Sequence, residues 1–334
     1  MKPHLTRPTR RRRFTQSLMS VAAWVLAIGA LGAVDPGKPS VSALEVTAYR
    51  AMGARHRDAA IRNSDTLAER FLGSEEREIL KRAGSEIVLK ALELETERGW
   101  ASLGARRGFA QAVHVRTRHI DSVFEESVKS GANQVVILGA GLDSRAYRFD
   151  KRLGGGHVFE VDFPPTQEYK KKRVREIRGS LPAHVRYVPI DFTKDDLKSV
   201  LEAAGYDRTK KTTFVWEGVT FYIPEEAVDA TLRFVATHSA PGSRIVFDYF
   251  VASALKAPTA PLKDVMKRLE AVREPLIFGL PDDDRQGFIT RRGLRIVSDI
   301  HMSELRKRYL PDREWQAVPE LAKSGGYVCT AAVP

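Results

Sequence analysis

Hydrophobic positions along this chain follow three successive patterns. Leu18 to Val34, "LMSVAAWVLAIGALGAV", is a single uncharged apolar run of 17 residues. From Ser42 to about Ser130, apolar residues recur at three- and four-residue spacings with charges between them, in "SALEVTAYRAMGARHRD", "SEEREILKRAGSEIVLKALELETERG" and "AVHVRTRHIDSVFEESVKSG". That period predicts amphipathic helices, broken at Gly53, Gly73 and Gly99 and closing at Gly131. After Gly131 the pattern changes to short β-rich runs: "QVVILGAG", "GHVFEVDF", "HVRYVPIDF", "TTFVWEGV" and "SRIVFDYF". Helical stretches such as "PPTQEYKKKRVREIRG", "DDLKSVLEAAG" and "PEEAVDATLRFVATHS" separate them. Alternation of this kind predicts an α/β fold, a Rossmann-like doubly wound and mostly parallel sheet covered on both faces. Beyond Phe250, "LKDVMKRLEAVREP", "ITRRGLRIVSDI" and "GGYVCTAAVP" read as helix, strand and strand that extend the sheet.

The expected organisation is a leader over 1–41 and one catalytic domain over 42–334. The domain divides into a helical cap (42–130), a cofactor-binding core (131–250) and a C-terminal sheet extension with the substrate region (251–334). The leader places "RPTRRRRF" before the apolar run and short side chains after it, at Ala30-Leu31-Gly32 and Val41-Ser42-Ala43. This is the layout of a signal peptide or N-terminal anchor, and it admits membrane association through this segment. An upstream start-site artefact would read the same way.

The formal charge of +12 would suggest a nucleic-acid partner, but half of the excess sits in residues 1 to 43. The run "KKKRVREIR" falls on a helix and reads as a solvated face, so no nucleic-acid partner is expected. The single cysteine, Cys329, excludes a disulfide framework and reads as a buried structural thiol. Trp100, Trp216 and Trp315 read as packing residues. The eight histidines show no metal-ligand spacing, and no metal site is expected.

Candidate chemistry concentrates at the strand ends. Gly139 and Gly141 follow the first strand, where missing side chains let a backbone approach a ligand, and Asp162 ends the second strand, placed to accept ribose hydroxyls. A dinucleotide such as NAD fits equally well to this point, and an NAD-dependent dehydrogenase is one reading. Yet Asp143-Ser144-Arg145 stands where the third glycine of a dinucleotide fingerprint belongs, and an acid there repels phosphate. Asp191 and Phe192 end the third strand, where an adenine edge and face are read, and Glu217 ends the fourth, able to accept from an ammonium. Ribose, adenine and an amino-acid head without phosphate describe S-adenosyl-L-methionine.

The stretches "QVVILGAGLDSRAYRF", "VFEVDFPPTQEYKKKRV", "VPIDF", "EGVTFYIPEEAV" and "APGSRIVFDY" together resemble the leucine carboxyl methyltransferase family, in its bacterial, actinobacterial branch. The similarity runs from about Ala43 to the C-terminus and includes "VRTRHID", "EPLIFGL" and "GGYV". It implies S-adenosyl-L-methionine as cofactor, with Gly139 and Gly141 against its methionine portion, Asp162 on ribose, Asp191 and Phe192 on adenine, and Glu217 beside the methionine moiety. It also implies that Arg116 pairs with the cofactor carboxylate; Arg118 competes for that role, and Arg50 is a weaker second basic contact. "IRNSDTLAERFL" departs from the family's Asp-Asp-Pro pattern, which leaves the substrate lid open.

By this resemblance the activity is O-methylation of a small-molecule or peptide carboxylate, or of another oxygen acceptor, by in-line transfer. An ionised carboxylate needs no general base. For a hydroxyl acceptor Glu217 or a histidine is the candidate base, and Tyr147 or Tyr222 could hydrogen-bond the acceptor. A cytosolic methyl donor favours a cytoplasmic or inner-membrane-anchored protein. The leader keeps a different reading open, a membrane-tethered or exported cofactor-binding module without methyl transfer.

Overall fold

The computed structural model describes residues 39–316 and 325–334. Most of the expected leader therefore lies outside the described residues, and so does the side chain of Trp315. Among the described residues no helix is long and apolar enough to cross a membrane.

Seven strands form one sheet: β1 (Gln134–Leu138), β2 (His157–Asp162), β3 (Val185–Pro189), β4 (Thr212–Trp216), β5 (Arg244–Phe250), β6 (Arg295–His301) and β7 (Gly326–Ala332). Their order is β3-β2-β1-β4-β5-β7-β6. The first five are mutually parallel, while β7 runs antiparallel between β5 and β6, with Phe247 opposite Cys329. Each β-rich run of the sequence is thus a strand, and the two after Phe250 extend the sheet as expected.

Side chains alternate between the two covered faces. Val135 and Ile137 of β1 join a core with the helices Val41–Ala54 and Arg107–Lys129. Val136 and Leu138 join a second core on the other face with Leu201 and Leu232, from helices Leu197–Ala203 and Glu225–Thr237. Trp100, Trp216 and Cys329 are fully buried.

The N-terminal helices end differently from the pattern-based reading. The first runs through Gly53 to Ala54, and Gly99 lies inside the helix Thr96–Ser102. Both glycines serve close packing: a Cβ on Gly53 would stand 2.1 Å from His114 Nδ1, and one on Gly99 would stand 2.3 Å from the Ala91 carbonyl oxygen. The stretch from Ser74 to Ser102 is three helices, Ser74–Arg82, Glu86–Glu93 and Thr96–Ser102, with the first break near Gly84 at φ +74°.

The strand order reverses between β1 and β4. At such a switch point the connections leave in opposite directions and open a crevice at the carboxyl ends of the strands. The Arg107–Lys129 helix crosses beneath β4 and β5, and the helix Ala260–Ala271 with the segment 273–280 lies over the crevice.

Candidate functional site

The β1 strand ends in a tight turn. Gly139 has φ +64°, and a Cβ there would lie 2.2 Å from a Val219 methyl, so a side chain is excluded on both conformational and steric grounds. The Gly141 N–H donates to Asp162 Oδ2 at 2.7 Å, and the Phe163 N–H donates to Asp162 Oδ1 at 2.8 Å. Asp162 is thereby aimed at the turn. Burial pushes its carboxyl up to about 6, because two backbone donors and the more distant Lys170 do not repay the lost hydration.

Lys170 supports the turn from behind. Its ammonium reaches the Ala140 carbonyl at 3.3 Å and Glu160 at 2.7 Å, and it is 1% exposed. The expectation of a solvated "KKKRVREIR" face fails at this position. Helical periodicity turns the first lysine of the run inward, while Lys172 stays outside, paired with Glu75.

Behind the crevice lies a chain of buried ions. Glu217, just after β4, accepts from Arg116 Nε at 2.8 Å through Oε1 and from Arg145 Nη1 at 2.7 Å through Oε2. Arg116 also donates to Asp248 of β5, whose other oxygen accepts the Gly218 N–H at 2.6 Å. Arg145 binds Asp121 at 2.8 Å and Asp143 through both its side chain and its own backbone N–H. Arg148 reaches Asp121 and Asp65, and Arg50 reaches Asp65 at 3.2 Å. Four guanidinium groups thus face five carboxylates, leaving one negative charge in excess.

Burial alone would raise Asp121, Asp143, Glu217 and Asp248, and at the first three the guanidinium groups win. Asp143 is held at about 2 by Arg145, Arg50 and Lys170 despite its desolvation. Burial likewise raises Glu217, but Arg145 and Arg116 bring it below its ordinary range. Asp248 is the exception: desolvation keeps it above the ordinary value in spite of Arg116.

A cavity of about 1150 Å³ opens in front of these groups. Its wall includes Gly139, Gly141, Asp162, Asp191, Phe192 and Glu217, and also Arg50, Arg116 and Tyr222. The expected site residues therefore converge on one space. Asp191 is the most exposed of the acids; its carboxylate accepts from Thr193 and from Lys194 Nζ at 2.6 Å, closing a local turn at the rim. Arg118 points elsewhere, donating to the Ile61 and Tyr309 carbonyls and lying over the Tyr309 ring. Of the two competing arginines, Arg116 is the one on the cavity wall. Arg50 clamps the turn itself by donating to the Leu142 carbonyl at 2.7 Å.

Several wall residues escaped the sequence reading. Asp248 carried a usable signal, an acid inside the apolar run "IVFDYF". Glu274 carried none. Its carboxylate accepts from the Val41 N–H at 2.8 Å and the Ser42 N–H at 3.0 Å, capping the first helix from 233 positions away. The residues at one expected leader exit, Val41-Ser42-Ala43, begin that helix, and Ser42 and Ala43 line the cavity. Among the described residues no cluster of His, Cys, Asp and Glu could hold a metal ion.

A doubly wound sheet with a glycine turn and a strand-end acid hydrogen-bonded to it at the switch point has the architecture of an S-adenosyl-L-methionine-dependent methyltransferase. The comparisons agree. The family profile described as leucine carboxyl methyltransferase matches residues 43–236, and the chain belongs to that family. A protein of Mycobacterium sp. (strain KMS), provisionally named an S-adenosyl-L-methionine-dependent methyltransferase, is 34% identical over 277 residues, covering 82% of this chain and 83% of its own length. The Bacillus subtilis protein YktD, named in the same provisional way, is 30% identical over 201 residues, 60% of this chain and 66% of its own. In fold, the chain is similar to the crystal structure of a DUF574 family protein from Streptomyces avermitilis, with a TM-score of 0.56 at 14% identity, covering 90% of this chain and all of that one.

Proposed function

We propose that this methyltransferase transfers the methyl group to an oxygen of a carboxylic acid. The observation that carries this reading is the absence of an uncommitted base among the described residues of the wall. Glu217 has both oxygens on guanidinium groups and a lowered pKa, so it is a poor proton acceptor. Asp143, Asp248 and Glu274 are likewise engaged. Burial raises the Tyr222 phenol further above its ordinary value, so it stays protonated and suits a hydrogen-bond donor rather than a base. An acceptor that is already ionised at neutral pH needs no base, and a carboxylic acid is one. Arg273, exposed at the cavity and with no side-chain partner among the described residues, supplies a cation that draws an anionic acceptor in.

The residues present fit the cofactor. Asp162 would hold the ribose hydroxyls, Asp191 and Phe192 the adenine, and Gly139 and Gly141 the methionine portion. Arg116 has Nη2 uncommitted beside Gly218 and would take the cofactor carboxylate. Glu217 would face the ammonium, and the one excess negative charge of the ion chain complements a cofactor of net charge +1. Bound there, S-adenosyl-L-methionine would supply a sulfonium methyl group, which a carboxylate oxygen could take as a new C–O bond while the C–S bonding pair stays with sulfur, with no proton to be moved. The protein's share is alignment and exclusion of water. The acceptor side would come from the cap over 42–130, Arg116 apart, and from the described residues after Phe250, around the core over 131–250.

The test has two parts. Calorimetric titration with S-adenosyl-L-methionine should show one site, lost in Asp162→Ala. Methyl-labelled cofactor and a panel of carboxylic acids should then yield a product that releases volatile methanol in alkali, as esters do; a base-stable product would overturn the carboxylate assignment.

A further inference from the structure

The cavity is larger than its cofactor requires, and the part left over is walled almost entirely by hydrocarbon. Pockets that bury a drug-sized ligand hold roughly 300–1,000 Å³, and S-adenosyl-L-methionine is of that class. The cavity here is about 1150 Å³. Its polar residues gather at the strand ends and at the helix cap. The opposite wall comes from the helix Ala260–Ala271, which presents Leu262, Val265 and Leu269. These are spaced three and four apart on one face, each less than a tenth exposed. Its charged residues, including Arg268, which pairs with Glu45, lie off the cavity. Phe109 and Val113 of the long helix and Phe250 at the end of β5 complete this half.

At the mouth stands Ile277, 51% exposed and one of four large exposed hydrophobic residues among those described. Its N–H donates to the Phe221 carbonyl at 2.8 Å. Ile277 also lines the cavity, so the apolar lining continues to the surface at this point. Polar groups on an acceptor's body would find no polar side chain on the Leu262–Val265–Leu269 face, and Arg273 and the Tyr222 hydroxyl serve the acidic head. Every wall acid already accepts from a guanidinium, an ammonium or a backbone N–H, and burying an unpaired polar group against this lining is unfavourable.

We infer that the methyl acceptor is an acid with an extended apolar body, of the fatty-acyl kind, which lies along the Leu262–Val265–Leu269 face while its acidic head meets the cofactor. The inference rests on the carboxylate reading above and adds the class of substrate. Leu262, Val265 and Leu269 then set specificity by length and shape, and a small polar amino acid is excluded.

The experiment uses the full-length chain loaded with S-adenosylhomocysteine, titrated calorimetrically with hexanoate, dodecanoate and leucine. Each methylene buried tightens binding roughly fourfold at the transfer limit. Dodecanoate should therefore bind at one site at least about 100-fold more tightly than hexanoate, and leucine should not bind. Val265→Phe, which fills the space, and Leu262→Gln, which makes it polar, should each weaken dodecanoate at least about tenfold while S-adenosylhomocysteine binds as before, the latter showing that both variants are folded. Cofactor binding without dodecanoate binding, or dodecanoate binding that both variants leave intact, overturns the apolar acceptor alone. Failure to bind the cofactor overturns the methyltransferase site and this inference together.

Discussion

Asp162 receives the backbone N–H of Gly141 at 2.7 Å, so the acid that ends β2 and the second glycine of the β1 turn form one hydrogen-bonded unit. A substitution at either residue should disturb both the turn and the ligand's ribose. Asp162→Ala strands two backbone donors, and an unmet buried donor costs about 1–3 kcal/mol. The expected outcome is a lower melting temperature together with loss of S-adenosyl-L-methionine binding, read by calorimetry. Unchanged binding would remove Asp162 from the site.

The same carboxyl gives a pH dependence whose sign can be worked out. Its folded pKa, about 6, exceeds the ordinary 3.8, because burial outweighs its hydrogen bonds. Between about pH 4 and 6 the unfolded chain has released this proton and the folded chain has kept it, so this group alone lowers stability as pH rises through that window. Cofactor affinity should move the other way, since ribose hydroxyls donate best to the ionised form. Binding should tighten roughly tenfold from pH 5 to pH 7, by ionisation of one group. Asp143, at about 2, and Glu217, lowered, are ionised throughout this range. Asp162→Asn should flatten the profile; a slope that persists would assign it to Glu160, which burial lifts to about 7.

Arg116 and Arg118 are two residues apart on one helix and should behave oppositely. Arg116→Ala leaves Asp248 buried without a guanidinium and Glu217 with Arg145 alone, a loss of about 3–5 kcal/mol for a broken internal ion pair. It should also abolish cofactor binding. Arg118→Ala should leave cofactor affinity unchanged, because its contacts are the Ile61 and Tyr309 carbonyls. Equal effects in a calorimetric comparison would refute the distinction.

Glu274→Ala tests the long-range cap. Three donors at the start of the first helix, Ser40 Oγ and the Val41 and Ser42 N–H groups, lose their acceptor. Hydrogen exchange at Val41 and Ser42 should accelerate, with stability lower by about 1–2 kcal/mol, as for a lost helix cap. Protection that survives at both amides would mean that Glu274 does not cap this helix.

The strands were legible because a strand covered on both faces is an uninterrupted apolar run, and an acid at its end marks where the run meets the crevice. Gly139, Asp162 and Glu217 were found in this way. Pairing was not legible. Arg116 meets Glu217 across 101 positions and Asp248 across 132, and no local period encodes such a distance. The helix boundaries near Gly53 and Gly99 were misread for a related reason: those glycines answer to His114 and to the Ala91 carbonyl, neighbours supplied only by tertiary packing. Lys170 shows the converse, since a run of like charge hides the one member that periodicity turns inward.

The wall of the cavity is recruited from Ser40 at one end of the described chain to Tyr327 at the other. β7, close to the C-terminus, is inserted between β5 and β6. During synthesis, which runs from the N-terminus, the turn at Gly139 and its acid at Asp162 emerge long before the strand that completes the sheet. A chain stopped short of Gly326 lacks the strand that pairs with β6 among the described residues and leaves one edge of β5 bare, the kind of unpaired edge that invites aggregation. Competence to hold the methyl donor therefore waits on β7, and loss of this strand should be as damaging as loss of the glycine turn itself.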